Sequence, residues 1–319
     1  MKLRNQIIIL VATVLIFAGF NLLCYQLFTR SFVYDRSSTL KAKSIELGDY
    51  LPFDESSKAV TVDTSLKLEG DLPVVDGAAA LYPVFSSVVG SIYPEDSVIY
   101  SADKNDFEPG SALLMTNTMG AYEKIVTGEA DIIFVAGPSK EQMAFAEENG
   151  VDLVMVPIGR EAFVFFVNED NPVDNLTLDE IRGIYSGKIR NWSEVGGSND
   201  LITPLTRNPG SGSQTAMEMV MNGEAIPRDY DAALGKRIAF SFRFYVEDIT
   251  NYGGIKILSL NGVYPSAETI RDGSYPISSE FYAIYRADDT NPNIPVVIDW
   301  LLSNEGQALI EANGYVGVN

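Results

Sequence analysis

From Pro73 onward the chain alternates short apolar runs with amphipathic segments long enough to be surface helices, and this alternation limits the folds open to it. Residues 72–75 read as a strand before Asp76-Gly77. Residues 79–89 read as a helix, with Pro83 tolerated in the first turn, where a backbone N–H would lack a partner anyway. Residues 122–126 predict a helix ending at Gly128, and residues 131–135 a buried strand. Ser139 opens a helix that stops near Gly150, and residues 153–156 form the next strand. A second group begins with a strand over 163–167. Thr177 with Glu180, and Ser211 with Gln214, make capping-box pairs at two helix starts. Residues 238–245 and 255–260 predict strands, and residues 295–314 two short helices. Strands interleaved with helices imply an α/β fold with largely parallel sheets.

Ahead of this body, the 25 residues between Arg4 and Arg30 carry no charge. At about 1.5 Å per residue such a stretch spans a bilayer core of roughly 30 Å as one helix. A cleaved signal peptide has a shorter apolar region ending at small residues, whereas this one ends at Leu22-Leu23-Cys24-Tyr25. Leu23 also departs from the small residue that precedes a lipidated cysteine. Residues 1–30 are therefore expected to be an uncleaved transmembrane anchor, and residues 31–70, with little apolar periodicity, a spacer.

Composition removes several classes of function. The chain has no histidine and a single cysteine, so Ser-His-Asp and Cys-His nucleophiles, histidine metal sites and intrachain disulfides are unavailable. Neither an enzyme nor a cofactor is expected. Lysine and arginine total 23 against 43 aspartates and glutamates, a net charge of -20 that argues against nucleic acid as a partner. An anionic ligand would have to be held by a local cluster of donors acting within a Debye length, about 8 Å at physiological salt.

Three predicted helix starts could supply such donors: Asp76-Gly77-Ala78-Ala79-Ala80-Leu81, Gly137-Pro138-Ser139-Lys140, and Arg207-Asn208-Pro209-Gly210-Ser211-Gly212-Ser213-Gln214. Each presents unpaired N–H groups at the positive end of a helix dipole, which is where anions bind. In the third, Gly210 and Gly212 allow close backbone approach, Ser211 and Ser213 add hydroxyls, and Arg207 adds a planar charged fork. Each element also has a structural explanation. Ser139 and Ser211 both begin a Ser-x-x-Gln capping box, and the glycines mark turns.

Asp76 to Pro83, Gly128-Glu129-Ala130-Asp131-Ile132-Ile133-Phe134, Asn168 with Asn171-Pro172-Val173, Ile184 to Trp192, and Arg207 followed by Ser211-Gly212-Ser213-Gln214-Thr215 occur in this order. In these motifs the chain resembles the periplasmic-type phosphate-binding proteins of the PstS-like group. The resemblance implies a two-lobed periplasmic-binding-protein-like type II fold, with two hinge crossovers near residues 157–163 and 258–263. Lobe 1 would be residues 71–158 and 262–319, and lobe 2 residues 159–261. It implies a ligand site of Arg207, Ser211, Gly212, Ser213 and Gln214 with the loop donors of Ala79 and Ala80 and with Ser139. The ligand would be inorganic phosphate, as hydrogen phosphate, and the partners the permease subunits of an ABC transporter, with the binding domain extracytoplasmic. Two departures stand out. Ala78, Ala79 and Ala80 offer no hydroxyl, and Ala136 stands where the family places an aspartate, which leaves sulfate open as an alternative ligand. Asp76 or Glu141 could supply an acceptor instead. An oxyanion-sensing or scaffolding ectodomain is the alternative role, since fold does not fix function.

Overall fold

The computed structural model describes residues 45–227, 235–249 and 253–318. The expected anchor, residues 1–30, and Cys24 lie outside the described residues. Among the described residues no helix is long and apolar enough to cross a membrane.

In chain order the first elements are β1 (Val75–Gly77), α1 (Tyr82–Ile92), β2 (Tyr100–Ser101), β3 (Asp106–Phe107), α2 (Asn117–Thr127), β4 (Ile132–Ala136) and α3 (Lys140–Glu148). There follow β5 (Leu153–Asn168), β6 (Asn175–Leu176), α4 (Leu178–Tyr185), β7 (Ile202–Pro204), α5 (Gly212–Met221) and β8 (Lys236–Phe242). The chain closes with β9 (Ile255–Ile257), β10 (Ser259–Leu260), α6 (Ala267–Arg271), β11 (Ser278–Arg286), α7 (Asn293–Leu302), α8 (Asn304–Ala312) and β12 (Val316–Gly317). A 3-10 turn, Ala79–Leu81, leads into α1 with Pro83 in its first turn.

The sheet runs β1-β4-β11-β5-β8-β7, with β9 and β12 also paired to β5. Within it only β1–β4 and β7–β8 are parallel; β11 and β8 both run against β5, so the sheet is more mixed than the strand-helix alternation implies. The two strands read at 153–156 and 163–167 are one, the 16-residue β5. Its first part pairs with β11, from Leu153 opposite Arg286 to Ala162 opposite Ser278, and its last part with β8, from Phe163 opposite Phe242 to Val167 opposite Ile238. Pro157 does not break it. The register with β11 shifts between Phe281 (opposite Gly159) and Tyr282 (opposite Pro157), a bulge in which Ile158 is the extra residue. Gly159 is required there, because a Cβ would lie 2.2 Å from Cζ of Phe281.

Buried side chains form separate clusters along this strand. One holds Tyr82, Phe85, Phe134, Trp300 and Leu309; a second holds Phe163, Phe165, Tyr185, Trp192 and Phe240; a third, smaller one joins α2, β4 and α3 through Tyr122, Ile133 and Ala146. In the second, Phe163 and Phe240 pack with ring centroids 5.4 Å apart. At roughly 1.5–3 kcal/mol for each large apolar side chain removed from water, these clusters supply the drive for folding. Leu258, Leu260, Ile270 and Tyr275 all join the second cluster, and the Tyr275 hydroxyl donates to the Phe163 carbonyl at 3.0 Å.

Residues 45–70, the described part of the expected spacer, are laid along the first cluster. Ile45, Leu47, Tyr50 and Leu68 are buried in it. The Val60 and Val62 N–H groups donate to the hydroxyls of Ser87 and Ser91 on α1, and the hydroxyls of Tyr82 and Ser86 donate back to the carbonyls of Leu47 and Tyr50. Periodicity misses such a segment because its one element is a single 3-10 turn, Leu47–Tyr50; its apolar residues are anchors spaced along a strap.

Candidate functional site

Three helix starts open onto one cavity of about 240 Å³. The 3-10 turn before α1 contributes Ala79 and Ala80; α2 contributes Asn117, Thr118 and Met119; the loop into α5 contributes Arg207, Asn208, Ser211, Gly212 and Ser213. Ser241 and Phe242 from the end of β8, with Tyr245, complete the wall. The starts are close: a Cβ added to Gly212 would lie 3.5 Å from Oγ1 of Thr118, and one added to Gly210 would lie 3.0 Å from Cγ of Met119. Gln142 on α3 also donates to the Gly210 carbonyl at 3.3 Å, tying that turn across the gap.

The chemistry of the wall is that of donors. Nη1 of Arg207 is buried and has no hydrogen-bond partner among the described residues. A buried guanidinium nitrogen without a partner costs more than an ordinary lost hydrogen bond, so the position implies a ligand that supplies acceptors. The rest of Arg207 is fixed in place. Its N–H donates to Oε1 of Gln214 at 3.0 Å, and its guanidinium carbon sits 5.9 Å from the centroid of the Tyr245 ring. Ser213 and Ser241 place their hydroxyls 3.4 Å apart, both buried. Ser211 behaves differently: its N–H and its hydroxyl both donate to the Asn208 carbonyl, and its oxygen caps Gln214. Donors for a ligand therefore come from Arg207, Thr118, Ser213 and the first-turn N–H groups. No carboxylate lines the cavity among the described residues.

Ala79, Ala80, Arg207, Ser211, Gly212 and Ser213 thus come together, whereas Ser139 and Gln214 do not join them. Those two line a neighbouring cleft of about 960 Å³ that shares only Arg207 with the cavity. Ser139 is spent in its own capping box: its oxygen accepts from the Gln142 N–H at 3.2 Å while Gln142 Oε1 accepts from the Ser139 N–H at 2.7 Å. Gln214 acts one step back, holding the backbone of Arg207 and reaching Glu218 at 3.2 Å.

Neither proposed substitute acceptor reaches the cavity. Asp76 is wholly buried beneath the first turn, where its carboxylate accepts from the N–H groups of Gly77 and Thr116 and from the Thr116 hydroxyl. Burial pushes its pKa up against those hydrogen bonds. It is a brace joining the first two helix starts. Glu141 belongs to the neighbouring cleft.

Thr118 and Ser241 are the residues that sequence reasoning missed. The α2 helix begins at Asn117, five residues before Tyr122, with Asn117 itself left-handed at a φ of 64°. The string Thr116-Asn117-Thr118 held the available signal, a cluster of N-cap residue types directly ahead of an amphipathic segment.

The chain also has relatives among known proteins. The chain is 27% identical over 252 residues to the phosphate-binding protein PstS of Staphylococcus epidermidis, covering 72% of this chain and 76% of that one. It is 28% identical over 243 residues to the phosphate-binding protein PstS of Bacillus subtilis, covering 66% and 79%. Among solved structures it matches a Clostridium perfringens substrate-binding protein assigned to a phosphate ABC transporter, with bound phosphate, at a TM-score of 0.58 and 20% identity, over 77% of this chain and 98% of that chain. An ABC-type phosphate transport receptor from Vibrio cholerae matches at 0.55 and 18% identity, over 76% and 98%. A family model described as a PBP superfamily domain matches residues 74–305, so the chain belongs to the PBP superfamily.

Proposed function

We infer that this protein captures inorganic phosphate outside the cytoplasm and delivers it to the permease subunits of an ABC-type importer. The observation that carries the reading is the buried, unpartnered Nη1 of Arg207 in a cavity walled by N–H and hydroxyl donors. The names of the relatives, phosphate-binding protein PstS, support the same ligand. Local geometry overcomes the overall charge of -20: helix starts and a guanidinium lie within one Debye length of the ligand, while the carboxylates stay away from the cavity wall.

In this reading the first and second clusters are the cores of two lobes that close on the anion, with β5 as one crossover. We place the second crossover at residues 277–281 in preference to 258–263, a placement supported by Ile270 and Tyr275 in the second core and by the return of β11 to pair with β4. Closure replaces water around the anion with preset donors, each charge-assisted hydrogen bond contributing about 1.5–3 kcal/mol. Phosphate has five heavy atoms, and a ceiling near 1.5 kcal/mol per atom corresponds to a Kd around the micromolar level. The uncharged stretch between Arg4 and Arg30 supports a single N-terminal anchor.

The test is calorimetry on the full chain in detergent, titrated with phosphate and sulfate in parallel. Micromolar phosphate binding is the expected result, and the absence of phosphate heat sinks the reading. Equal affinity for sulfate makes the protein a general oxyanion binder.

A further inference from the structure

Adjoining the anion cavity lies a second, small void of about 30 Å³ that shares Ala80, Thr118, Gly212 and Phe242 with it. Its floor carries Glu161, which is 3% exposed and sits on β5 where pairing passes from β11 to β8. Nothing in the anion reading uses this residue. A carboxylate is an unusual occupant of such a position: it is buried beside a site built of donors, and its field opposes an anionic ligand there.

Its surroundings hold the carboxyl in place. Oε1 accepts from the Ala162 N–H at 2.8 Å and Oε2 from the Phe244 N–H at 3.4 Å. Nε of Arg243 is 3.4 Å from Oε1, while Nη1 of Arg243 pairs with Glu247 at 2.8 Å and Nη2 donates to the Gly314 carbonyl at 2.6 Å. Arg243 thus hydrogen-bonds elsewhere while its Nε faces Glu161 only as a nearby charge, and it neutralises Glu161 only in part. The remaining titratable groups around it are Glu280 and Tyr315, which line the same void from β11 and the tail, and Arg160, its neighbour on β5.

We propose that Glu161 makes anion capture proton-coupled, its carboxyl taking up a proton when a dianion occupies the neighbouring cavity. Geometry gives the reason: the two voids share a wall, and a negative charge added in one favours the neutral form of a buried carboxyl lining the other. The protonation state of the free protein suits the role. Burial, opposed by Arg243 and the two N–H groups, raises the Glu161 pKa to about 7, so at neutral pH the acid is poised to take up a proton when the anion arrives.

The inference rests on the phosphate reading, and the experiment separates the two. Phosphate Kd is measured for the full-length wild type and for Glu161→Gln from about pH 5.5 to about pH 8.5. The ligand's own ionisation is common to both proteins, so the ratio of the two constants isolates Glu161. We expect the ratio to be near one at the acid end and the wild type to bind about tenfold more weakly than the variant at the alkaline end. In parallel, infrared difference spectra of the wild type should show a protonated-carboxyl stretch growing as phosphate is added, a readout that survives if Glu161→Gln fails to fold. A ratio independent of pH, or no carboxyl change on binding, overturns the proposal and leaves phosphate capture standing. No phosphate binding by the wild type at any pH removes both.

Discussion

Two helix starts in this molecule carry the same sequence signature and do different work. Ser139-x-x-Gln142 opens α3 and Ser211-x-x-Gln214 opens α5. At the first, serine and glutamine make both reciprocal bonds of the box, and the Gln142 amide nitrogen is left to reach the Gly210 carbonyl. At the second, Ser211 still accepts from the Gln214 N–H at 3.3 Å, but Gln214 Oε1 leaves the box and accepts from the N–H of Arg207. Ser211 turns its own donors back to Asn208. The glutamine of a capping box has thus become the fixture that seats an arginine, leaving the first-turn N–H groups of Gly212 and Ser213 for the cavity these residues line. A helix start becomes a site when its capping partner is drawn away to hold something else.

The most direct way to break this comparison is Arg207→Ala. It should weaken phosphate binding at least tenfold, about 1.4 kcal/mol or more, with little change in Tm, because Nη1 has no other partner to lose. Unchanged affinity in calorimetry would mean that the guanidinium is a wall and not a ligand. Next in size is Gly210→Ala. Gly210 has φ of 76° and faces the Met119 side chain, so an added methyl is strained and crowded. We expect about 1–2 kcal/mol lost in stability, read as a lower Tm, and a several-fold loss in affinity as the loop holding Arg207 shifts. A stable variant of full affinity would show that the turn is not what positions the arginine.

How much of this was legible in the chain follows from what each signal depends on. The α/β class, a helix with Pro83 in its first turn and the boxes at Thr177 and Ser139 rest on contacts within four or five residues, and the structure contains them, with α1 running Tyr82–Ile92 where 79–89 is the expectation. So does the loop of Arg207, Ser211, Gly212 and Ser213, whose members come from one short string. Thr118 and Ser241 could not be assigned to the site for the opposite reason: a local pattern can mark the helix start at Thr118, but both meet that loop only through the sheet order, which no local pattern states. The strap at 45–70 was read as a spacer because its anchors answer to α1 and not to one another. Ser139 was assigned to the ligand on a signature that describes a cap equally well, and here the cap uses all of it.

The serines sharpen the comparison at the next level down. Ser139→Ala and Ser211→Ala each remove an N-cap and should each cost about 1 kcal/mol in stability. Their effects on binding should differ. Ser139→Ala should leave phosphate affinity within error, whereas Ser211→Ala should loosen the Asn208 turn and weaken binding about two- to threefold, well below the cost of one charge-assisted hydrogen bond. Denaturant titration and calorimetry on the pair read the two quantities separately. An equal loss of affinity in both would draw the α3 start back into the site.

The smallest expected effect tests the third helix start, which has no capping serine at all. Ala79 lines the cavity from the 3-10 turn before α1, and the Tyr315 hydroxyl donates to the Ala80 carbonyl, which fixes the turn from behind. Ala79→Thr adds a hydroxyl at a junction that otherwise offers only N–H groups. The β-branched side chain costs up to about 0.7 kcal/mol of helical preference, and a new hydrogen bond to the anion offsets about 0.5–1.5 kcal/mol. Phosphate affinity should therefore be unchanged or a few-fold higher, with Tm slightly lower. A tenfold loss would mean that the turn approaches the anion so closely that no atom beyond Cβ fits, making the alanines at 79 and 80 as specific to the site as the glycine at 212.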